Sequence, residues 1–538
     1  MMKIVGLSIL SFWLILLFII PARLTGRLGH HGLEAVAFAE ELEGKATGPS
    51  GDQGLESQSL SLSLRDFINL VREKNERIIY QQLESEISSE VVKNARSIFE
   101  PEFVSSFQHE KNRTKNTRKE ALSQFAFSGS AAEYDERNND YSAAIEGLVA
   151  TGGRVSIGYT LRDISNSLQS PNMEEFKSFL GVNFTQPLLK NGGKKATMAN
   201  IHVAEVDQYI AFQTYRHEMM RVVANAASAY WELYLAQEEY KVRKESVRIA
   251  EQILKDNRER VKTGKMAETE VLEAEAGLAI RRSMESAAKQ DIITAVNNVR
   301  SFISSSAAES MVGIVATDLL KIDRVEPDFD ESLQKALKLR ADYLSNKKKA
   351  EQEGIRIAYA ENQRWPQLNL KTSYGFNGLG DSAGGAYPAL DKEDMEYVSW
   401  SVGVELRVPL TGGIKSRSEL KAARYRKKQA LLGVRATEMA LANSLDTSIW
   451  NVRSINEQVK NYRKAVDHNK RLLDVELTRL KAGKSDSRIV LEREEALNTT
   501  VENELESHVN LKKAILEFEV AEGTLLKRYG IEIMEEEK

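Results

Sequence analysis

At 538 residues the chain could hold three or four ordinary domains, but 28% of it is charged, only 9 residues are proline, and long stretches are rich in Ala, Glu, Lys, Leu and Arg. That composition argues against several separate globules and for long helices or coiled coils. A formal net charge of -4 gives no electrostatic case for nucleic acid, and the lack of cysteine excludes disulfides, a thiolate metal site and a lipid-modified N-terminal cysteine.

Lys3 opens the chain ahead of an apolar run from Ile4 to Ile20. The run is at the short end for a membrane span, and Ala37-Phe38-Ala39 offers a cleavage site. Export with removal of residues 1–39 is therefore favoured over an uncleaved anchor. No other stretch is apolar enough to be a membrane helix. Residues 40–59 are rich in Gly, Ser and Gln and read as a flexible lead-in.

A helical pattern through Phe67, Ile68, Val71, Ile78, Ile79 and Leu83 runs to Phe99 and stops at Pro101. The period then changes to two. Tyr141, Ala143, Ile145 and Val149 alternate with polar or small residues, as do Val155, Ile157, Tyr159 and Leu161 beyond a Thr151-Gly152-Gly153 turn. A further strand over 179–186 ends at Pro187. Such alternation predicts antiparallel β structure. Helix returns over about 194–263, a length on the order of 100 Å, and a shorter helix follows to about 302.

The order then repeats. A helix over about 331–365 stops at Pro366, and a strand carries Leu368, Leu370, Thr372, Tyr374 and Phe376 on one side. A Gly- and Asp-rich loop leads to a second strand, with Val398, Trp400, Val402, Val404, Leu406 and Val408 on one side. A long helix over about 416–481 carries Ile455, Val459, Tyr462, Val466, Leu473 and Leu480 on one heptad seam, which requires neighbouring helices. It places Trp450 at the position of Trp231. A last helix runs from Ser485 to about Arg528, ahead of an acidic tail over 531–538. The chain thus reads as two structural repeats, 60–326 and 327–530.

One stretch occurs twice with little change: RVKTGKMAETEVLEAE over 260–275 and RLKAGKSDSRIVLERE over 479–494. In each, Gly264 or Gly483 follows a basic last turn and a new helical pattern begins, as at the tip of a helical hairpin. The strands between Pro366 and Pro409 have one apolar and one small or polar face, and both reach the roughly 9–11 residues that span a bilayer. Tyr374, Phe376, Tyr397 and Trp400 are placed as aromatic-belt residues. Open sheet edges are forbidden in lipid, so four strands per subunit can span only as part of a barrel shared between subunits.

This arrangement resembles the TolC-like outer membrane efflux protein family over nearly all of 60–530. The resemblance rests on the duplication, the junctions TQPLLKNGGKKA and RVPLTGGIKSRSEL, and the tips RVKTGKMAETEVLEAEA and RLKAGKSDSRIVLEREEA. It implies a mainly α fold with a membrane β-barrel portion: a homotrimer sharing a twelve-stranded barrel in the outer membrane and a twelve-helix tunnel across the periplasm, closed at the tips. It also implies a periplasmic adaptor protein and an inner-membrane pump or ABC exporter as partners, and no cofactor. The basic or small neighbours in Thr263-Gly264-Lys265 and Ala482-Gly483-Lys484 depart from the family pattern, as does Ile489 at the first acidic position of the gate motif. Residues 103–187 exceed what two strands need and are expected to add strands or an extended surface loop.

Glu270, Glu273, Asp486, Arg488 and Glu492 lie just beyond the tips. The plain reading is a solvated helix face with Arg488 and Glu492 paired at i, i+4. The functional reading is that Glu492 and Glu273 each become a ring of three acids at a closed entrance, attracting cations. Gly264 and Gly483 read as left-handed caps, and with Lys265 and Lys484 as an exposed docking tip for the adaptor. His109, His202, His217, His468 and His508 show no metal-ligand spacing, and no nucleophile elbow, phosphate loop or paired-carboxylate motif appears, so no enzyme is expected. A passive export duct for small molecules or proteins is the reading favoured over a periplasmic coiled-coil tether.

Overall fold

In the computed structural model, the described residues are 59–119, 121, 133–166, 175–303, 313–320, 326–387, 397–410, 412–482 and 484–533. The expected signal sequence and most of the lead-in lie outside them, as do Gly483 and the end of the acidic tail.

The first repeat opens with β1 (Ser59–Leu62), α1 (Leu64–Lys74) and α2 (Glu76–Arg96). Ser63 caps α1 by accepting from the Asp66 N–H. Asn75 breaks the single helix expected from the pattern: its carboxamide oxygen accepts from the N–H groups of Arg77 and Ile78 and starts α2. Four strands follow, β2 (Glu102–Lys115), β3 (Glu133–Leu148), β4 (Arg154–Asn166) and β5 (Glu175–Pro187). A single turn, α3 (Lys194–Thr197), leads to α4 (Ala199–Lys262), and α5 (Thr269–Arg300) returns from the first tip.

The second repeat has β6 (Gly313–Ala316), α6 (Phe329–Leu339), α7 (Ala341–Asn362), β7 (Gln367–Gly380), β8 (Val398–Arg407), α8 (Ile414–Lys481) and α9 (Ser487–Glu522), then the short α10 (Leu525–Arg528). Here Asp328 caps α6 and Arg340 marks the break before α7. At 64 and 68 residues, α4 and α8 are each about 100 Å long.

Two sheets form among the described residues. β1 and β6 pair in parallel, and Tyr230 of α4 fixes them: its hydroxyl lies 2.7 Å from the Asp318 carboxylate, to which it donates, and 2.9 Å from the Leu62 carbonyl, and it accepts from the Thr317 N–H. Phe67, Ile68, Val71, Tyr230 and Leu233 are fully buried around this point and form the largest core. The second sheet is a six-stranded antiparallel meander in the order β2-β3-β4-β5-β7-β8. The sequence reading counted four membrane strands. The β2–β3 hairpin lies in the stretch where extra strands or a long loop were expected. β3 contains the strand expected through Tyr141 and Ile145, β2 is new, and the far end of the hairpin is charged on both faces, with Arg113 paired to Glu133. On the polar face Gly181 and Gly375 lie opposite each other, and the Phe179 ring covers both so closely that an added Cβ would meet it at 2.5 and 2.6 Å.

The long helices pack side by side, and toward the tips α5 also touches α9. Near the sheet the order across the chain is α2, α4, α7, α8, and toward the tips it is α5, α4, α9, α8. Leu445, Ile449, Val452 and Val459 of α8 bury against Leu511, Ala514, Ile515 and Phe518 of α9, as the heptad seam requires. The duplication does not extend to environment. Trp231 is 6% exposed in the main core, whereas Trp450, at the matching position, is 62% exposed.

Candidate channel: the tip clasp and the membrane sheet

Both tips turn with the same hydrogen bond. The Lys265 N–H donates to the Arg260 carbonyl and the Lys484 N–H to the Arg479 carbonyl, each at 2.9 Å and each reaching back five residues. This six-to-one closure is the Schellman arrangement, which needs a left-handed residue before the donor. Gly264 supplies it at φ 66°, with open space around it.

The acidic candidates do not gather into one cluster. Glu492 is exposed and pairs with Arg488 at 2.7 Å, the i, i+4 arrangement of the plain reading. Glu273 is exposed on α5. Asp486 caps α9 by accepting from the Ile489 N–H at 2.9 Å. Glu270 is half-buried, and its backbone carbonyl accepts from the Asn257 carboxamide.

What joins the two hairpins is a set of residues the sequence reading did not single out. Arg281 of α5 reaches Glu494 of α9, with Nη2 at 2.7 Å and Nε at 3.1 Å from the same carboxylate oxygen, and Nη2 also donates to the Leu491 carbonyl. Asn498 completes the Glu494 carboxylate. Nearer the tip, the buried Ser487 hydroxyl donates to the Asn257 side-chain oxygen at 3.0 Å. Higher up, Arg243 of α4 binds Glu495 and Glu502 of α9. Between these ties Ala250, Leu254, Leu278, Val490 and Leu491 form one apolar cluster shared by both hairpins. Beside Arg243, burial and the neighbouring Glu502, Glu506 and Asp291 push the Glu239 carboxyl up to about 7.

At the other end, the strand register sorts side chains cleanly. One pairing row runs Phe103, Ile145, Ile157, Val182, Tyr374, Trp400, and all six are exposed. Val402, Val404 and Leu406 continue this face on β8, and the half-buried Leu368 and Leu370 continue it on β7. The opposite face carries residues such as Ser142, Thr160, Asn183, Ser373 and Ser401. In water an exposed apolar row across six strands is a large liability. Against lipid, with the polar face on an aqueous lumen, it is the expected pattern of a membrane barrel wall. Among the described residues no helix is long and apolar enough to cross a membrane.

A barrel-forming sheet continuous with helical hairpins about 100 Å long defines a channel-tunnel of the outer membrane, reaching into the periplasm. The family model for outer membrane efflux proteins matches residues 67–304 and 332–521, one stretch for each repeat. The chain belongs to that family, whose members are transport channels. It is 22% identical to the outer membrane protein TolC of Vibrio cholerae over 322 residues, covering 58% of this chain and 70% of that protein. Its fold is that of the Campylobacter jejuni CmeC outer membrane channel (TM-score 0.59, 15% identity, 89% of this chain and 94% of that one). It is likewise that of the Neisseria gonorrhoeae MtrE channel solved in its open state (0.58, 14%, 89% and 98%). The tether reading finds no support.

Proposed function

We propose that three copies of this chain close into one export duct, which carries small molecules or proteins outward with energy supplied by partners. The observation that carries this reading is that the chain has the same two flanks at every level. They are β2 and β8 in the sheet, α2 and α8 below it, and α5 and α8 toward the tips. Exposed apolar side chains mark these flanks: Leu83 and Ile87 on α2, Ile280 on α5, and Leu432, Met439 and Trp450 on α8. A face that differs from its opposite face and matches it in chemistry is a head-to-tail surface, which closes into a ring. Four helices per chain would give a tunnel wall of twelve.

The repeat division at 326/327 and removal of residues 1–39 belong to the same reading. So does the assignment of Gly264, Lys265, Gly483 and Lys484 to a docking surface for a periplasmic adaptor, itself bound to an inner-membrane pump or ABC exporter. At the closed end, Glu273 and Glu492 would form acid rings, with Arg488 screening the second. Single-channel recording in planar bilayers tests the rings. Glu273→Gln with Glu492→Ala is expected to lower cation preference, and unchanged selectivity in the double variant would remove these residues from the gate.

A further inference from the structure

We infer that this chain's barrel has eighteen strands, because the first-repeat hairpin of β2 and β3 is part of the membrane wall. The inference rests on the trimeric reading above and goes beyond it, since the resemblance implies twelve.

Sidedness places the extra hairpin in the wall, and the register of the sheet permits it. First, its lower half obeys the same sidedness as the other strands. Phe103, Phe107, Tyr141 and Ile145 share the exposed apolar face, and the rings of Phe107 and Tyr141 lie 5.0 Å apart. The polar face continues through Ser106 and Ser142, whose hydroxyls are 2.7 Å apart. A hairpin lying outside the barrel in water would have no use for that pattern.

Second, the stagger of the sheet is compatible with closure through this hairpin, as it is with closure without it: the row from the first residue of β4 runs Arg154, Thr185, Lys371, Gly403, four residues short of Arg407, and gives the same tilt over twelve strands. The pairing row that starts at the first residue of β2 runs Glu102, Glu146, Ser156, Asn183, Ser373, Ser401. Ser401 lies six residues before the last residue of β8, Arg407. If the bases of β8 and the next copy's β2 are level, Arg407 faces Glu102 and the stagger reaches about eighteen residues over eighteen strands. With a rise of about 3.3 Å and a strand spacing of about 4.7 Å, the strands tilt by roughly 35°, at the edge of the range for barrels. The backbone radius is then about 16 Å, wide enough for an aqueous lumen, against about 11 Å for twelve strands at the same tilt.

The level register also preserves sidedness. It sets Phe103 against Leu406, Ser105 against Val404 and Phe107 against Val402 on the lipid face, with Ser106 against Gly403 on the lumen face. A shift by one residue would turn every side chain to the wrong face. Both edges, β2 and β8, lack a neighbour among the described residues, and lipid forbids leaving them open.

The chain has no cysteine, so introduced thiols report alone. Gly403→Cys, a position with open space around it, is combined in turn with Val104→Cys, Ser106→Cys and Gln108→Cys on β2, and with Ser156→Cys on β4. Each protein is oxidised in outer membranes, and the native mass of the extracted protein is measured in parallel. The expected result is a covalent trimer from one or more β2 pairs and none from the β4 pair. A native trimer linked through Ser156→Cys, or through neither strand, overturns the eighteen-stranded wall while leaving the trimer intact. A native mass other than three chains overturns the trimeric reading itself.

Discussion

Arg281 and Glu494 face each other across the two helical hairpins, with side chains only 7% and 1% exposed and a guanidinium nitrogen 2.7 Å from the carboxylate. Glu494 is the repeat counterpart of Glu275, yet Glu275 pairs with Arg258 inside its own hairpin, on the surface. The duplicated glutamate therefore has two jobs, and only the second copy ties one hairpin to the other.

Breaking this buried pair from one side leaves a charge without a partner. Arg281→Met is expected to cost about 3–5 kcal/mol, whereas Arg281→Met with Glu494→Leu recovers most of that loss. A double-mutant cycle on denaturant unfolding checks it. Additive losses in the two single variants would mean the residues do not act as a pair.

Glu239 makes stability depend on pH. Its folded pKa of about 7 lies above the 4.5 of an ordinary glutamate, so the folded state holds a proton that the unfolded state has released. The destabilisation is therefore full above about pH 7 and disappears as pH falls toward 4.5. Glu239→Gln should stabilise the protein at pH 8 by on the order of 1–2 kcal/mol and leave it unchanged near pH 4.5. Melting curves at the two pH values decide this, and an equal effect at both would contradict it.

Gly264 occupies a left-handed conformation with room for a side chain, so Gly264→Ala should cost about 1 kcal/mol from backbone strain alone. The protein is expected to reach the outer membrane at normal levels. Lost export at normal levels would assign the tip to docking, and lost assembly would reduce the glycine to a cap.

Lipid-facing and lumen-facing positions alternate along β8. Val402→Lys should destabilise the folded barrel by about 2–4 kcal/mol, while Ser401→Lys, one residue away, is tolerated. The folded fraction in outer membranes, read on unheated gels, distinguishes them. Equal tolerance would mean this strand does not face lipid.

Much of this arrangement is legible in the sequence because long periodic segments leave little choice. The tips, the two long helices and the strands of the second repeat fall where residue spacing puts them. The breaks at Asn75 and Arg340 were missed because the apolar spacing continues across both. β1 and β6, at four residues each, are too short to show alternation. β2 was not counted because its upper half, from His109 to Lys115, is polar on both faces. The Arg281–Glu494 clasp was hidden by its chemistry: an isolated Arg or Glu on a helix reads as solvated surface, and only the packing of α5 against α9 buries it.

In the proposed duct, copies of this chain close around one continuous pore. Native mass spectrometry of the protein extracted from outer membranes, with the same preparation recorded in planar bilayers, tests it most directly. A particle of three chains that conducts ions is expected; a single chain, or a trimer that carries no current under any voltage or tip substitution, would rule the duct out.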